Sequence, residues 1–551
     1  MTETSRATTP LLLEYLPKLV TVLREGYSFR DLRADALAGL TVAIVALPLS
    51  MAIAIASGVG PERGLYTTII GGFLVSALGG SRHQIGGPAG AFIVLVAACV
   101  MATGIEGLIL ATFLSGFLML GAGMLRLGTY IRFIPYPVTV GFTAGIAVII
   151  FASQIRDLFG LNLTAEPAEI IGKVQALWAA RDSVTPAAMG VAAAVIVVIQ
   201  GLKRLRPTWP AMLIAVGLAS VLAAALGLPV ETIGTKFGAL PRVPPAPALP
   251  PMDASLLMAA LPWAISFTLL GSIESLLSAV VADGMTGRQH RSNAELLAQG
   301  VANIGSALFG GFCVTGTIAR TATNVRAGSR GPVSGMLHAL FVLAFMLVAA
   351  PLAGFIPLAA LAGVLAVVAW NMAEKEEFWH LLKSSRSDAL VLVVTFLLVI
   401  FRDLTEGIVV GFALGGLVFI RRMSETAMLE GGTGDFPQDG AARSDRVVYR
   451  LHGPWFFGAA ARLGSVLDRI ADHPRAFVID LSNVPMIDSS GARSFLLLAR
   501  KTARKGGQLY IVGARPEVRR TLHAHGLHEP EVRFLPDMDA LDADVVAVIP
   551  A

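Results

Sequence analysis

A chain of 551 residues that is 55% hydrophobic and only 15% charged, with a mean hydropathy of +0.70, is not an ordinary soluble protein, because soluble domains carry charge at about a quarter of their positions. Its net charge of +5 is too small to imply nucleic acid, and its two cysteines, Cys99 and Cys313, exclude a disulfide framework and a cysteine-based zinc site. Long uncharged runs end near Arg422 and give way to the composition of a soluble domain, so the chain divides in two, the larger part in lipid.

In chain order, residues 1–33 read as a cytoplasmic N-terminal segment, 34–423 as a transmembrane domain, 424–444 as a linker and 445–551 as a soluble domain. Leu11–Leu23 mixes apolar residues with Glu14 and Lys18, as an amphipathic helix at a membrane surface would. The first 30 residues have no apolar run leading to a small-residue cleavage site. The expectation is therefore no removable signal peptide, with the first spanning helix acting as the targeting signal.

A spanning helix takes about 20 apolar residues, because every backbone amide must be satisfied internally. Candidates are Ala36–Ala56, Gly64–Leu78, Gly107–Leu125, Pro137–Ser153, Val184–Gln200, Pro210–Leu228, Leu256–Ala282, Ala298–Phe309, Pro332–Leu352, Ile356–Trp370, Ala389–Phe401 and Gly407–Ile420. Two more, Pro88–Met101 and Thr315–Val325, are short and opened by glycine-rich turns, which brings the count to about fourteen. With the N-terminus inside, every second loop should be basic. Those loops hold Arg82, Arg126, Arg132, Lys203, Arg204, Arg206, Arg288, Arg291, Arg326, Arg330, Lys383, Arg386, Arg421 and Arg422, whereas the opposite ones carry acids such as Glu62, Glu106 and Asp157. Both termini are expected in the cytoplasm.

Ser76-Ala-Leu-Gly-Gly80 precedes the first short segment and Ser306-Ala-Leu-Phe-Gly-Gly311 the second. An odd number of passes separates them, so the halves are oppositely oriented, and paired interrupted segments point to a transporter's central site. Gly86-Gly-Pro-Ala-Gly-Ala91 and Gly310-Gly-Phe-Cys-Val-Thr-Gly-Thr-Ile-Ala-Arg320 would each start a helix inside the membrane. Such ends offer unpaired N–H groups and about half a positive charge, and so attract anions. The competing reading is helix packing through small residues.

Glu274 lies deep in an apolar helix with Ser275 and Ser278 nearby. A carboxylate there is costly unless paired, protonated or facing water, which makes Glu274, with Ser278, a candidate for proton or sodium coupling. A structural hydrogen-bonding role is the alternative. Arg320 follows the second half-helix start too closely to reach the surface. It either supplies fixed positive charge to the anion, pairs with Glu274, or snorkels. Pro48, in Ala46-Leu-Pro-Leu-Ser-Met-Ala52, is expected to break the first helix near its middle and free carbonyls beside the site; a kink without a ligand role is the alternative.

Together these residues resemble the SulP (sulfate permease) family of anion transporters. The matching stretches are Leu47-Pro-Leu-Ser-Met-Ala52, Gly64-Leu-Tyr66, Gly79-Gly-Ser-Arg82, Gly86-Gly-Pro88, Ile273-Glu-Ser-Leu276, Val281-Ala-Asp-Gly284 and Thr315-Gly-Thr-Ile-Ala-Arg-Thr-Ala-Thr-Asn324. The resemblance implies an α-helical membrane protein of fourteen segments in two inverted repeats of seven, a core domain moving against a gate domain, and a homodimer. It implies substrate binding around Ala89, Gly90, Ala91, Thr317, Ile318, Ala319 and Arg320, to which Pro48 and Leu49 of the matching first-helix stretch are added, and cation coupling at Glu274. The run from Glu274 to Arg326 looks most like the bacterial branch associated with proton-coupled C4-dicarboxylate uptake. Sodium-coupled relatives tend to carry Asp at the acidic position and a hydroxyl where this chain has Ile318, a departure that leans toward protons.

In the soluble domain Val447–Leu451, Phe477–Asp480 and Gln508–Val512 read as strands, and Ala459–Ala471, Gly491–Arg504 and Pro516–His525 as helices, an α/β arrangement. Asp480-Leu-Ser-Asn-Val-Pro-Met-Ile-Asp-Ser-Ser-Gly491 resembles the STAS signature, which makes Ser489 a phosphorylation candidate; a plain scaffold is the alternative.

The expected function is secondary active transport of a small anion across the inner membrane by alternating access, with proton-coupled uptake of C4-dicarboxylates such as fumarate or succinate foremost. Sulfate or bicarbonate transport, coupled to protons or sodium, and a STAS-linked membrane sensor are the alternatives. A nucleobase permease and a channel are weaker rivals. An enzyme is not expected, since no His-Glu, Cys-His or paired-carboxylate cluster sits in the apolar segments. No ATP-binding loop, cofactor, metal or nucleic-acid partner is implied; the partners implied are the anion, the coupling ion, lipid, a second copy and a cytoplasmic protein for the STAS domain.

Overall fold

The computed structural model of the chain describes residues 14–131, 134–163, 167, 169–206, 209–402, 404–426, 428–431, 446–456, 476–504 and 506–541. It divides into two compact units between Phe412 and Ala413. The predicted helix Ala459–Ala471, most of the predicted linker and Arg132 lie outside the described residues.

Among the described residues the regular structure of the first unit is helical apart from two short strands. Phe29–Ala56 starts on a capping box, in which the Ser28 hydroxyl accepts from Asp31 N while the Asp31 carboxylate accepts from Ser28 N. The second segment is continuous from Pro61–Tyr66 through a π-helical turn, Thr67–Gly71, into Gly72–Leu78. Ile93–Met124 counts as two segments, because Gly104 (φ 71°, ψ −175°) leaves helical geometry in its middle, a conformation open to glycine alone. Tyr136–Phe159, Pro186–Leu205 and Ala211–Ala225 complete the first half. The second half repeats the pattern with Ala254–Thr286, Ser292–Leu308, Ile318–Arg326, Val333–Ala353, Leu358–Met372, Arg386–Phe401 and Leu404–Thr426. Fourteen segments result, and among the described residues eight helices are long and apolar enough to cross a membrane by themselves.

Packing sorts these helices into two bundles. Ile93–Met124 lies against Ala254–Thr286 and Ser292–Leu308, and Phe29–Ala56 against Val333–Ala353, which makes the core bundle. Tyr136–Phe159 packs on Leu358–Met372 and Arg386–Phe401, and Pro186–Leu205 on Ala211–Ala225 and Leu358–Met372, which makes the gate bundle. Outward faces carry apolar side chains such as Val348 and Val197, as a lipid solvent requires.

One expectation changes here. Pro48 does not break the first helix: Phe29–Ala56 runs through it without interruption. A proline removes only its own amide donor, and a membrane helix tolerates that when neighbouring groups take up the freed carbonyls. The N-terminal amphipathic stretch contains a helix, Lys18–Arg24, that is tied down by loops: Lys18 N donates to Gly79 O (2.9 Å), and Arg291 Nη1 to Leu16 O (2.7 Å) and Thr21 Oγ1 (2.9 Å).

The second unit is a five-stranded sheet in chain order, β3 (Met428–Gly431), β4 (Arg446–His452), β5 (Ala476–Asn483), β6 (Gln508–Val512) and β7 (Val532–Leu535). β3 runs antiparallel to β4 and the other pairs are parallel. Helices Ser489–Arg504 and Pro516–Ala524 cover it, burying Trp455, Phe477, Ile479, Phe495 and Ile511. β3 lies in a stretch read from sequence as linker, and neither β3 nor β7 was foreseen. β3 is short and sits beside glycines, and β7 is interrupted by Arg533.

Candidate anion site

Two linkers fold back into the middle of the core bundle and meet there. β1 (Gly86–Gly87) pairs antiparallel with β2 (Thr315–Gly316), setting Gly86 opposite Gly316 and Gly87 opposite Thr315. Thr317 N donates to Ile85 O (3.0 Å), and Ile85 N to Thr321 Oγ1 (3.1 Å). Gly87 and Pro88, just before the turn Gly90–Phe92 that opens Ile93–Met124, are thus brought beside the start of Ile318–Arg326. The echo read in the sequence has a matching role on each side. Ser76 Oγ donates to Gln84 O (3.3 Å) and Ser306 Oγ to Phe312 O (2.7 Å), each serine holding its own inward linker.

Arg320 projects into this crossing. It is 2% exposed, so it does not snorkel. Its Nη2 donates to Ser50 Oγ (3.1 Å) and Pro88 O (3.3 Å). Ser50 is held in turn by Ala46 O (2.7 Å) and the Thr68 hydroxyl (2.7 Å). Among the described residues Nε and Nη1 have no partner. A Cβ on Gly87 would stand 2.1 Å from Nη1, so the bare backbone there makes room for the guanidinium. Buried donors without acceptors are costly. A guanidinium with two free nitrogens beside two half-helix starts is an acceptor-seeking fork suited to a carboxylate or sulfate.

The other predicted residues distribute around it. Ala89, Ala91 and Thr317 are buried, and Thr317 Oγ1 donates to Ile85 O (3.3 Å). Gly90 and Ile318 are half-buried and Ala319 is exposed, so the crossing is accessible on that side. Gly90 approaches Ile150 of the gate bundle: its Cβ position lies 3.1 Å from Ile150 Cδ1. Pro48 and Leu49 are buried just before Ser50, and the polar contact this stretch gives Arg320 comes from Ser50. Glu274 is half-buried and makes no ion pair with Arg320 among the described residues. Ser278 Oγ donates to Thr321 Oγ1 (3.0 Å), tying the helix of Glu274 to that of Arg320. Ser489 is distant in sequence and fold class, exposed as the first residue of Ser489–Arg504, whose start Asp488 caps through Gly491 N (2.7 Å).

Sequence reasoning missed Glu295 and Gln84. Glu295 is fully buried and accepts from Gly80 N (2.8 Å), Ser81 N (3.1 Å), Gln84 Nε2 (2.9 Å), Gln299 Nε2 (3.1 Å) and Ser275 Oγ (3.4 Å). It pins the first inward linker to two helices of the other repeat. The available signal was Asn293-Ala-Glu295 opening an apolar helix, which beside Arg288 and Arg291 looks like a loop flank.

An inverted-repeat helical transporter with a mid-membrane crossing and a separate α/β unit is the class these features define. Residues 32–395 match the sulfate permease family and residues 439–539 the STAS domain. The chain belongs to the sulfate permease family. It is 38% identical to the putative sulfate transporter YvdB of Bacillus subtilis (strain 168), over 91% of this chain and 95% of that one. It is 31% identical to the bicarbonate transporter BicA of Synechocystis, over 93% of each chain. Its fold matches murine Solute Carrier 26 family member A9, an anion transporter in the inward-facing state, with a TM-score of 0.86 at 18% identity, covering 99% of this chain and 96% of that one. It also matches the transmembrane domain of a cyanobacterial BicA, with a TM-score of 0.63 at 32% identity, covering 69% of this chain and 98% of that one. The protein is a multi-pass anion transporter, and the family's members are transporters rather than enzymes.

Proposed function

We propose that the protein takes up a small dianion by proton-coupled symport across the cytoplasmic membrane, with both termini inside and the chain acting as a homodimer. The anion sits on Arg320 Nε and Nη1 between the starts at Ala89–Ala91 and Thr317–Ala319; the observation that carries this is the buried guanidinium with two unpartnered nitrogens. Glu274, half-buried and with no ion pair among the described residues, on the helix beside Arg320, carries a coupling proton. Its helix is joined to that of Arg320 through Ser278 and Thr321, so protonation and anion occupancy act on one rigid core. Movement of the core bundle against the gate bundle then exposes the site to each side in turn.

The resemblance of the Glu274–Arg326 run favours a C4-dicarboxylate such as fumarate or succinate. The second reading, sulfate or bicarbonate, is favoured by what the relatives YvdB and BicA are named for. Uptake of labelled fumarate into proteoliposomes, with and without an inward proton gradient and in competition with sulfate and bicarbonate, tests the proposal. Gradient-driven fumarate uptake resistant to both inorganic anions supports the dicarboxylate reading. Competent vesicles that carry sulfate or bicarbonate but no fumarate overturn it. On the STAS unit, Ser489 is exposed for modification, with the neighbouring Asp488 carboxylate already at the helix start.

A further inference from the structure

Gln84, with the Glu295 that holds it, has no part in binding or coupling as described so far, yet it touches both halves of the site. The helix of Glu274, Ala254–Thr286, turns the face of Gly271, Ser275 and Ser278 to the crossing of β1 and β2. Each of the three is bonded there. Thr315 Oγ1 of β2 donates to Gly271 O (2.9 Å) and Gln84 Nε2 to Ser275 Oγ (2.7 Å). Ser278 Oγ donates to Thr321 Oγ1 (3.0 Å), which also accepts from Ile85 N (3.1 Å).

Gln84 is the middle rung and the one that reaches furthest. The residues that follow it in the chain form β1 and carry the Pro88 carbonyl that Arg320 Nη2 touches. A Cβ on Gly316 would collide with Gln84 Nε2, so the bare backbone of β2 lies against the amide. The same nitrogen donates to Glu295 Oε1 (2.9 Å), and the further donors Gly80 N, Ser81 N, Gln299 Nε2 and Ser275 Oγ fix that carboxylate. Gln84 is 3% exposed, and its Oε1 has no donor among the described residues. A buried amide satisfied on one side only is a cost that an apolar side chain would avoid.

We propose that Gln84 is the positioning residue that couples anion to proton: through Ser275 it ties the linker bearing Gly87 and Pro88 to the helix of Glu274. A charged and a neutral carboxyl group in apolar surroundings favour different placements of their helix. With the face of Gly271, Ser275 and Ser278 bonded to the crossing, that helix cannot shift without carrying Gly87 and Pro88, which border Arg320 Nη1 and Nη2. The hold on the anion then depends on the proton at Glu274, and equally in the other direction. The proposal rests on the proton-symport reading above.

Other ionisable groups surround this helix. Ile93–Met124 brings Cys99 and Glu106, Gly128–Ile131 brings Tyr130, Ser292–Leu308 brings Glu295, and Ile318–Arg326 brings Arg320 and Arg326. Across the cavity lined by Leu270 and Ile408, Leu404–Thr426 brings Glu406, paired with Arg402 (3.2 Å), and Asp283 of the helix itself is paired with His290 (2.6 Å). Among the described residues none of them forms an ion pair with Glu274.

The test is equilibrium binding of whichever of fumarate, sulfate and bicarbonate is carried, to the detergent-purified protein, at a lower and a higher pH at which the anion keeps its charge. Glu274→Gln in the same titration marks the pH dependence that belongs to other groups. Wild type should bind about 5- to 150-fold more tightly at the lower pH. Gln84→Met, which keeps the side chain's length without its amide, should bring that ratio down to the one found in Glu274→Gln. Binding weakened equally at both pH values, with the wild-type ratio kept, is what mere packing support gives and overturns the proposal. Should Gln84→Met fail to fold or bind, Ser275→Ala cuts the same rung from the other side and is read in the same way. A wild-type ratio no larger than that of Glu274→Gln overturns the symport reading and this proposal with it. A larger wild-type ratio that persists in the rung variant overturns this proposal alone.

Discussion

At the scale of single residues, two carboxylates show how surroundings set roles. Glu274 stands half-buried with no ion pair among the described residues, whereas Glu295 is enclosed by five neutral donors. Glu274→Gln is therefore predicted to abolish uptake driven by a pH gradient while the purified protein stays monodisperse; normal driven uptake would remove Glu274 from coupling. Asp480 in the STAS unit gives a pH prediction of known sign. Burial alone would raise its carboxyl, but hydrogen bonds from Ser482 and Arg450 outweigh this and hold it below the ordinary range. Its contribution to stability is thus complete above the unfolded value of about 3.9 and is lost as pH falls through the lower folded value. Protection of the Ala476–Asn483 strand against hydrogen exchange, relative to the intrinsic rate at each pH, should fall in acid in wild type and show a flatter pH dependence in Asp480→Asn. Parallel curves for the two proteins would contradict this.

At the scale of elements, the inward linkers and half-helices were legible in the sequence because glycine-rich turns opened short apolar segments at matching places in the two halves. The burial of Arg320 was legible too, since it stands so soon after such a start. Ser50 was not, because a hydroxyl in a membrane helix ordinarily bonds the carbonyl four residues back, as Ser50 does with Ala46; its second contact, to Arg320, depends on a partner in the other repeat. Glu295 was hidden for the same reason, its donors Gly80, Ser81 and Gln84 lying far away in the chain. Two glycines separate packing from function. A Cβ on Gly64 would fall 2.1 Å from Ser50 O, a backbone atom that cannot yield, so Gly64→Ala is predicted to destabilise by about 1–3 kcal/mol. At Gly87 the obstacle is the movable end of Arg320. Gly87→Ala should leave the melting temperature near wild type and weaken anion affinity instead. The opposite pattern in a melting and binding comparison would contradict the assignment.

At the scale of the whole molecule, the core bundle carries every residue of the proposed site, and the gate bundle supplies the wall that Gly90 meets at Ile150. Transport by relative motion of two bundles needs no large change inside either, provided the crossing of β1 and β2 keeps its geometry through the cycle. The approximate number of segments was legible from hydropathy, and their two-fold pattern from the paired glycine-opened segments and the family resemblance. The division into core and gate was implied by the family resemblance, but which helices fall in each was not legible, because it rests on contacts between helices far apart in sequence.

The central claim is that the anion binds to the free nitrogens of Arg320, and the most direct measurement is uptake and equilibrium binding of the transported anion by Arg320→Ala beside wild type in matched proteoliposomes. Loss of charge-assisted hydrogen bonds worth about 1.5–3 kcal/mol predicts affinity weakened by about 10- to 150-fold, with uptake reduced accordingly. Unchanged affinity and uptake in a folded Arg320→Ala protein would place the anion elsewhere and contradict the account.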